Sequence, residues 1–152
     1  MRIEAFLLQS PVFAVSRAAR LLDGHLARIL RSHEVSFFES LVLVSIFFEE
    51  PRAIKPSRLA ETFSTTRGNV SHCISTLEAK GLVRRRIDPE DARGFHVSLK
   101  PPGKALAMRL IRTFDRLQKE LEREIGASDL QVALAVIRGV ERVCERMPDG
   151  KQ

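Results

Sequence analysis

Apolar residues recur along most of the 152-residue chain at spacings of three and four, and only between residues 82 and 99 does the period fall to two. That contrast predicts a mainly α protein with a single small β-hairpin. Residues 11–31 set Val15, Ala18, Ala19, Leu22, Leu26, Ile29 and Leu30 on one broad helical face. Ser36-Phe37-Phe38-Glu39 has the form of a capping box, in which the hydroxyl covers an N-terminal amide and the glutamate reaches back. The helix it opens, through Leu41, Val42, Val44, Ile46 and Phe47, is apolar nearly all round and is predicted to lie centrally. Ile54 is a candidate short strand. A short helix over about 56–63 buries Leu59 and Ala60, and Ser64, Thr65 and Thr66 can cap a following helix that reaches Lys80. Gly81 suits the left-handed conformation that closes such a helix. Val70, Cys73, Ile74 and Leu77 fall on one side of it and are predicted core.

Residues 82–87 and 95–99 alternate as strands, with 88–94 connecting them. A long helix over about 102–125, with Pro102 as its first residue, carries Leu106, Leu110, Phe114, Leu117, Leu121 and Ile125 in register. Gly126-Ala127 breaks it. Ser128-Asp129-Leu130-Gln131 reads as a second capping box, opening a last helix striped with Leu130, Ala133, Leu134, Ile137, Val140, Val143, Cys144 and Met147. A chain of this length could hardly bury both late stripes together with that of the first helix. The surplus predicts a homodimer, with residues 1–34 and 101–152 supplying the dimerisation helices of a single domain 1–152.

The outward face of the 66–80 helix is unusual. At 100° per residue it carries Gly68, Ser71, His72, Ser75, Thr76 and Ala79, without the Lys or Glu that coats most solvated faces. Short hydroxyls and amides that let a backbone approach closely suit a helix lying in a DNA major groove. Arg67 and His72, which can donate to guanine acceptors, are the leading candidate base readers, followed by Asn69, Ser71, Ser75 and Thr76. Ser64, Thr65 and Thr66 lie where helix amides would meet a phosphate. Arg84, Arg85 and Arg86 follow as candidate phosphate contacts, one of them free to turn inward and pair with an acid, and Arg93 sits where a hairpin tip would reach a minor groove. An ordinary exposed helix and a strand edge guarded by arginines are the plainer alternatives.

Charge favours the nucleic-acid reading. Of the net +6, residues 51–100 hold +5, with ten basic against five acidic side chains, whereas residues 1–50 sum to −1 and 101–152 to +2. The excess lies on the proposed DNA region at 35–100. A membrane surface would also attract it, but no long basic amphipathic helix accompanies the patch, so no membrane partner is expected.

The chain resembles the MarR family of winged helix-turn-helix transcriptional regulators. The hairpin segment Asp88-Pro-Glu-Asp91-Ala-Arg93-Gly94 has the family's Asp-x-x-Asp-x-Arg pattern, followed by a strand ending at Leu99 and a glycine at 103. The Leu59-Ala60 pair and the run Leu77-Glu78-Ala79-Lys80-Gly81-Leu82-Val83 are similar to the family's helix-turn-helix core. Where the family has Thr after the strand, this chain has Lys100-Pro101-Pro102. The resemblance implies that Arg93 enters the minor groove, that Asp88 and Asp91 brace the wing, and that residues 66–76 face the major groove. It also implies a dimeric repressor on a palindromic operator, and a small aromatic or anionic effector in a cleft lined here by Phe13, Arg17, Phe37, Phe38 and Leu41. A winged helix serving protein–protein assembly, or a sequence-indifferent architectural protein, is the alternative.

Other chemistry finds little support. His25 and His33 are eight residues apart, about 12 Å by helical rise, and no compact ligand set completes a metal site. Cys73 and Cys144 are expected to be small core hydrophobes in a reducing cytoplasm. No phosphate loop, nucleophile elbow or catalytic carboxylate pair appears, so neither an enzyme nor a cofactor is expected.

Overall fold

The α3 helix (Phe37–Glu49) carries the centre of the fold, with Val42, Leu43 and Ile46 sealed from solvent. In the computed structural model, which describes residues 3–87 and 94–147, α3 is preceded by α1 (Ile3–Gln9) and α2 (Pro11–Arg31). It is followed by α4 (Pro56–Thr62), α5 (Arg67–Ala79), β1 (Val83–Ile87), β2 (Phe95–Leu99), α6 (Pro101–Ile125) and α7 (Ala127–Arg146). The chain forms two compact units, 1–110 and 111–152, with the boundary inside α6.

The first unit holds most of the core. Leu26 and Leu30 of α2, Leu59 of α4, Val70, Ile74 and Leu77 of α5, and Leu106 and Leu110 of α6 are all buried. Each such side chain contributes roughly 1.5–3 kcal/mol relative to exposure. β1 and β2 pair antiparallel with Val83 opposite Leu99 and Arg85 opposite Val97. Ile54 adds a bridge to Val97 on the free edge of β2, with hydrogen bonds in both directions, as the isolated apolar residue there predicts. Along α6 the apolar stripe is buried at Leu106 and Leu110 and exposed by Leu121 and Ile125.

The first capping box forms as read from sequence. Ser36 Oγ accepts from the Glu39 amide at 3.2 Å, and the Ser36 amide donates to Glu39 Oε2 at 2.7 Å. The same carboxylate takes Lys80 Nζ at 2.9 Å, and Lys80 also donates to the Glu34 carbonyl at 2.8 Å. One side chain thus ties the start of α3 to the end of α5. Glu39→Ala removes the cap partner and strands the ammonium, so it is expected to cost about 2 kcal/mol, read by urea denaturation. Lys80→Ala, which spares the cap, should cost about half as much. Equal losses would contradict the double role.

Several sequence expectations are corrected. Helix α1 lies in an N-terminal stretch too short for a periodic signal. α6 opens at Pro101, one residue before Pro102. The second capping box does not form: Gly126 takes φ 87° and is itself the N-cap, without a side-chain cap. The Leu130 amide donates to the Gly126 carbonyl, so Ser128 is already inside the first turn, where its hydroxyl is out of place to cap. Phe48, on the supposedly all-round buried α3, is 69% exposed.

Candidate nucleic-acid interface

α4 and α5 meet through a turn whose geometry assigns different jobs to Ser64, Thr65 and Thr66. Ser64 sits at φ 46°, a left-handed conformation that reverses the chain, and the Thr65 amide donates back to the Ala60 carbonyl. Thr66 is the N-cap of α5, its Oγ1 accepting from the Asn69 amide at 3.1 Å. Thr65 Oγ1 accepts from Asn69 Nδ2 at 3.0 Å, which fixes that amide side chain over the helix start. At the other end Gly81 takes φ 72°, and its amide and that of Leu82 return to the carbonyls of Glu78 and Leu77.

Between these ends the buried face is Val70, Cys73, Ile74 and Leu77, as the sequence predicts. Arg67, Gly68, Asn69, His72, Ser75 and Ala79 are exposed, with Ser71 and Thr76 half-buried. The hydroxyls are not equivalent. Ser75 Oγ donates to the Ser71 carbonyl and Thr76 Oγ1 to the His72 carbonyl, so both protons are spent within the helix. Ser75 Oγ also accepts from Arg85 Nη2, which engages it on both sides. The groups left most open to an incoming ligand are Arg67, Asn69, Ser71 and His72.

The three consecutive arginines divide between the two faces of the hairpin. Arg85 turns to α5: besides Ser75, it meets Glu78 Oε2 at 3.5 Å, while the Glu78 carboxylate accepts its amide at 3.1 Å. Its guanidinium lies 4.9 Å from the centre of the Phe95 ring. This is the inward arginine with an acid partner that strand alternation anticipates, and it braces the hairpin against α5. Glu78 was not singled out from sequence, because an acid in the last turn of a helix carries no mark of a cross-element partner. Arg84 and Arg86 project from the opposite face, where Arg84 Nε donates to Ser98 Oγ at 3.2 Å.

Asp88, Asp91 and Arg93, assigned to the wing, lie outside the described residues. Of the five residues proposed for an effector cleft, Phe13 and Arg17 line a recess of about 630 Å³ on α1 and α2, together with Leu7, Ala14 and Leu21. Phe37, Phe38 and Leu41 do not line that recess. Phe38 instead packs edge-to-face on Phe63, with ring centres 5.6 Å apart, so its ring supports the α3–α4 contact. Cys73 is buried as expected, and burial, reinforced by Glu39 and opposed by Lys80, pushes its thiol up to about 12. It is therefore a thiol rather than a thiolate at neutral pH. Cys144 is exposed, which corrects its assignment to a core. Among the described residues no group of three His, Cys, Asp or Glu could hold a metal ion, and no helix is long and apolar enough to cross a membrane.

Two helices joined by a tight turn, with a basic hairpin braced against the second and a third strand bridged to its edge, make a winged helix-turn-helix. Residues 39–95, a little over a third of the chain, match the model of the MarR family. It is 26% identical over 105 residues to the HTH-type transcriptional regulator PrsX of Escherichia coli, covering 69% of this chain and 63% of that protein. The fold matches the S. aureus MepR–DNA complex with a TM-score of 0.82 at 16% identity, over 88% of this chain and 98% of that one. It matches wild-type MarR from E. coli in its apo form with a TM-score of 0.66 at 23% identity, over 86% and 96%.

Proposed function

We propose that the chain is a dimeric, sequence-specific double-stranded DNA-binding regulator, a repressor acting on a palindromic operator. The observation that carries this is the outward face of α5. It is polar and short-chained, pinned at one end by the Thr66 cap and at the other by Gly81, and it leaves Arg67, Asn69, Ser71 and His72 open. A helix held at both ends with such a face suits a major groove, where Arg67 can reach guanine O6 and N7 and Asn69 or His72 an adjacent base. The N-terminal end of α5, with its amides and helix dipole, favours a backbone phosphate. Arg93 is the minor-groove contact, with Asp88 and Asp91 bracing the wing. PrsX is an HTH-type transcriptional regulator by name, and the MepR structure is a DNA complex, which supports the same reading. Twofold pairing of residues 1–34 and 101–152 sets two such helices on half-sites about 34 Å apart. A small aromatic or anionic effector would enter at Phe13 and Arg17.

Selection of bound duplexes from a random pool tests this. The expected product is an inverted repeat with half-sites about one helical turn apart. Arg67→Ala and His72→Ala should each lose about 1–3 kcal/mol on that site and relax preference at one base position per half-site. Their affinity for unrelated duplex should change far less. Failure of the pool to enrich, or equal losses on selected and unrelated DNA, would defeat the reading.

A further inference from the structure

On the side of the hairpin away from α5, the end of α3, the segment 50–53 that follows it, both strands and the start of α6 enclose a recess of about 500 Å³. Its lining among the described residues includes Arg52, Arg84, Arg86 and Lys104 against a single carboxylate, Glu50. All lie within the first compact unit. Glu50 is already committed: it accepts from Lys104 Nζ at 2.6 Å, and that ammonium also lies 5.8 Å from the centre of the Phe47 ring. Arg84 is oriented by Ser98. Neither Arg52, Arg84 nor Arg86 forms a salt bridge to a described residue. Three arginines therefore line one concave space without a matching acid among the described residues. Like charges gathered in this way repel unless an anion joins them, and planar forks suit phosphate and carboxylate oxygens in particular.

We propose that this recess is a binding site for a small polyanion bearing phosphate or carboxylate groups, held by Arg52, Arg84 and Arg86 with Lys104 at its edge. Position favours a free anion over a duplex backbone. The recess opens on the face of the hairpin opposite α5, whereas the exposed face of α5 is the one that would meet a groove. The site is separate from the Phe13 and Arg17 recess on α1 and α2. Binding there requires no DNA and does not depend on the regulator reading.

Calorimetric titration of the full chain with inorganic pyrophosphate, and separately with tricarballylate, tests the proposal at matched ionic strength. One saturable site is expected. Arg52→Gln and Lys104→Gln should each weaken it about tenfold or more, the usual loss for one charge-assisted contact. Glu50→Gln, which removes the carboxylate that lines the recess, should tighten it severalfold. Arg67→Ala, on α5, should leave it unchanged. Three results would overturn the site: no saturable binding, an equal loss in Arg67→Ala, or variants that bind the anions normally. A fourth would reassign it to a DNA phosphate and so refute it: no anion binding, with operator affinity falling in both Arg52→Gln and Lys104→Gln. Retained urea stability in each variant excludes unfolding as the cause.

Discussion

Gly103→Ala is expected to destabilise the chain by about 3 kcal/mol, because the added methyl would enter occupied backbone rather than a soft side chain. A Cβ at this position would lie 2.0 Å from the Leu82 carbonyl oxygen and 2.9 Å from its carbon. That carbonyl cannot easily withdraw. It accepts from the Lys100 amide at 2.9 Å, while the Leu82 amide is held by Leu77 at the same distance. Moving it would disturb the closure of α5, the start of β1 and the entry of α6 together. Gly24, inside α2, supplies the control, since a Cβ there would meet nothing within 4 Å. Gly24→Ala should raise stability by about 0.5–1 kcal/mol through helix propensity. Urea denaturation of the two variants reads both effects. A Gly103→Ala chain within 1 kcal/mol of wild type would show that the α6 start can slide away from Leu82.

The glycine at 103 was visible in the sequence only as part of a family resemblance, and its reason is a close approach to Leu82, 21 positions earlier. The same division runs through the rest of the structure. Local signals were legible: the Ser36–Glu39 box, the Thr66 cap, the Gly81 closure and the period-two strands all depend on neighbours within a turn or two. The Ser128 box looked equally good and failed, because a positive φ at Gly126 started the helix earlier than the motif allows. Pairs distant in sequence were not legible. Nothing in Glu39 or Lys80 announces their contact across 41 positions, and the arginine run does not declare which member turns to α5. Register against β2 and the place of Glu78 decide that. Of the candidate base readers, Ser75 could be set apart only once Arg85 was seen on its hydroxyl.

The largest effect on binding is expected from a change on α7, in the second compact unit. On α7, Val132, Val136, Val143 and Met147 are exposed, the first two at 63% and 60%. At 100° per residue these four fall within an arc of about 60°, a continuous apolar strip. The stripe read from sequence included Val143 and Met147 but neither of the first two. On α1 and α2, Phe6, Val12, Phe13, Leu21 and Leu22 are likewise exposed. Surfaces of this kind on helices at both ends of the chain are what the proposed twofold pairing would cover. The double variant Val132→Glu, Val136→Glu places two carboxylates in the strip. Both positions are solvent-exposed and glutamate is a good helix former, so helicity and the hairpin should survive. Light scattering should then report a folded monomer in place of the dimer proposed for the wild type. Losing the linked second half-site should weaken operator binding by about 10²-fold or more, with affinity for an isolated half-site little changed. A variant that remains dimeric and keeps full affinity for the inverted repeat would place the pairing surface away from this strip of α7.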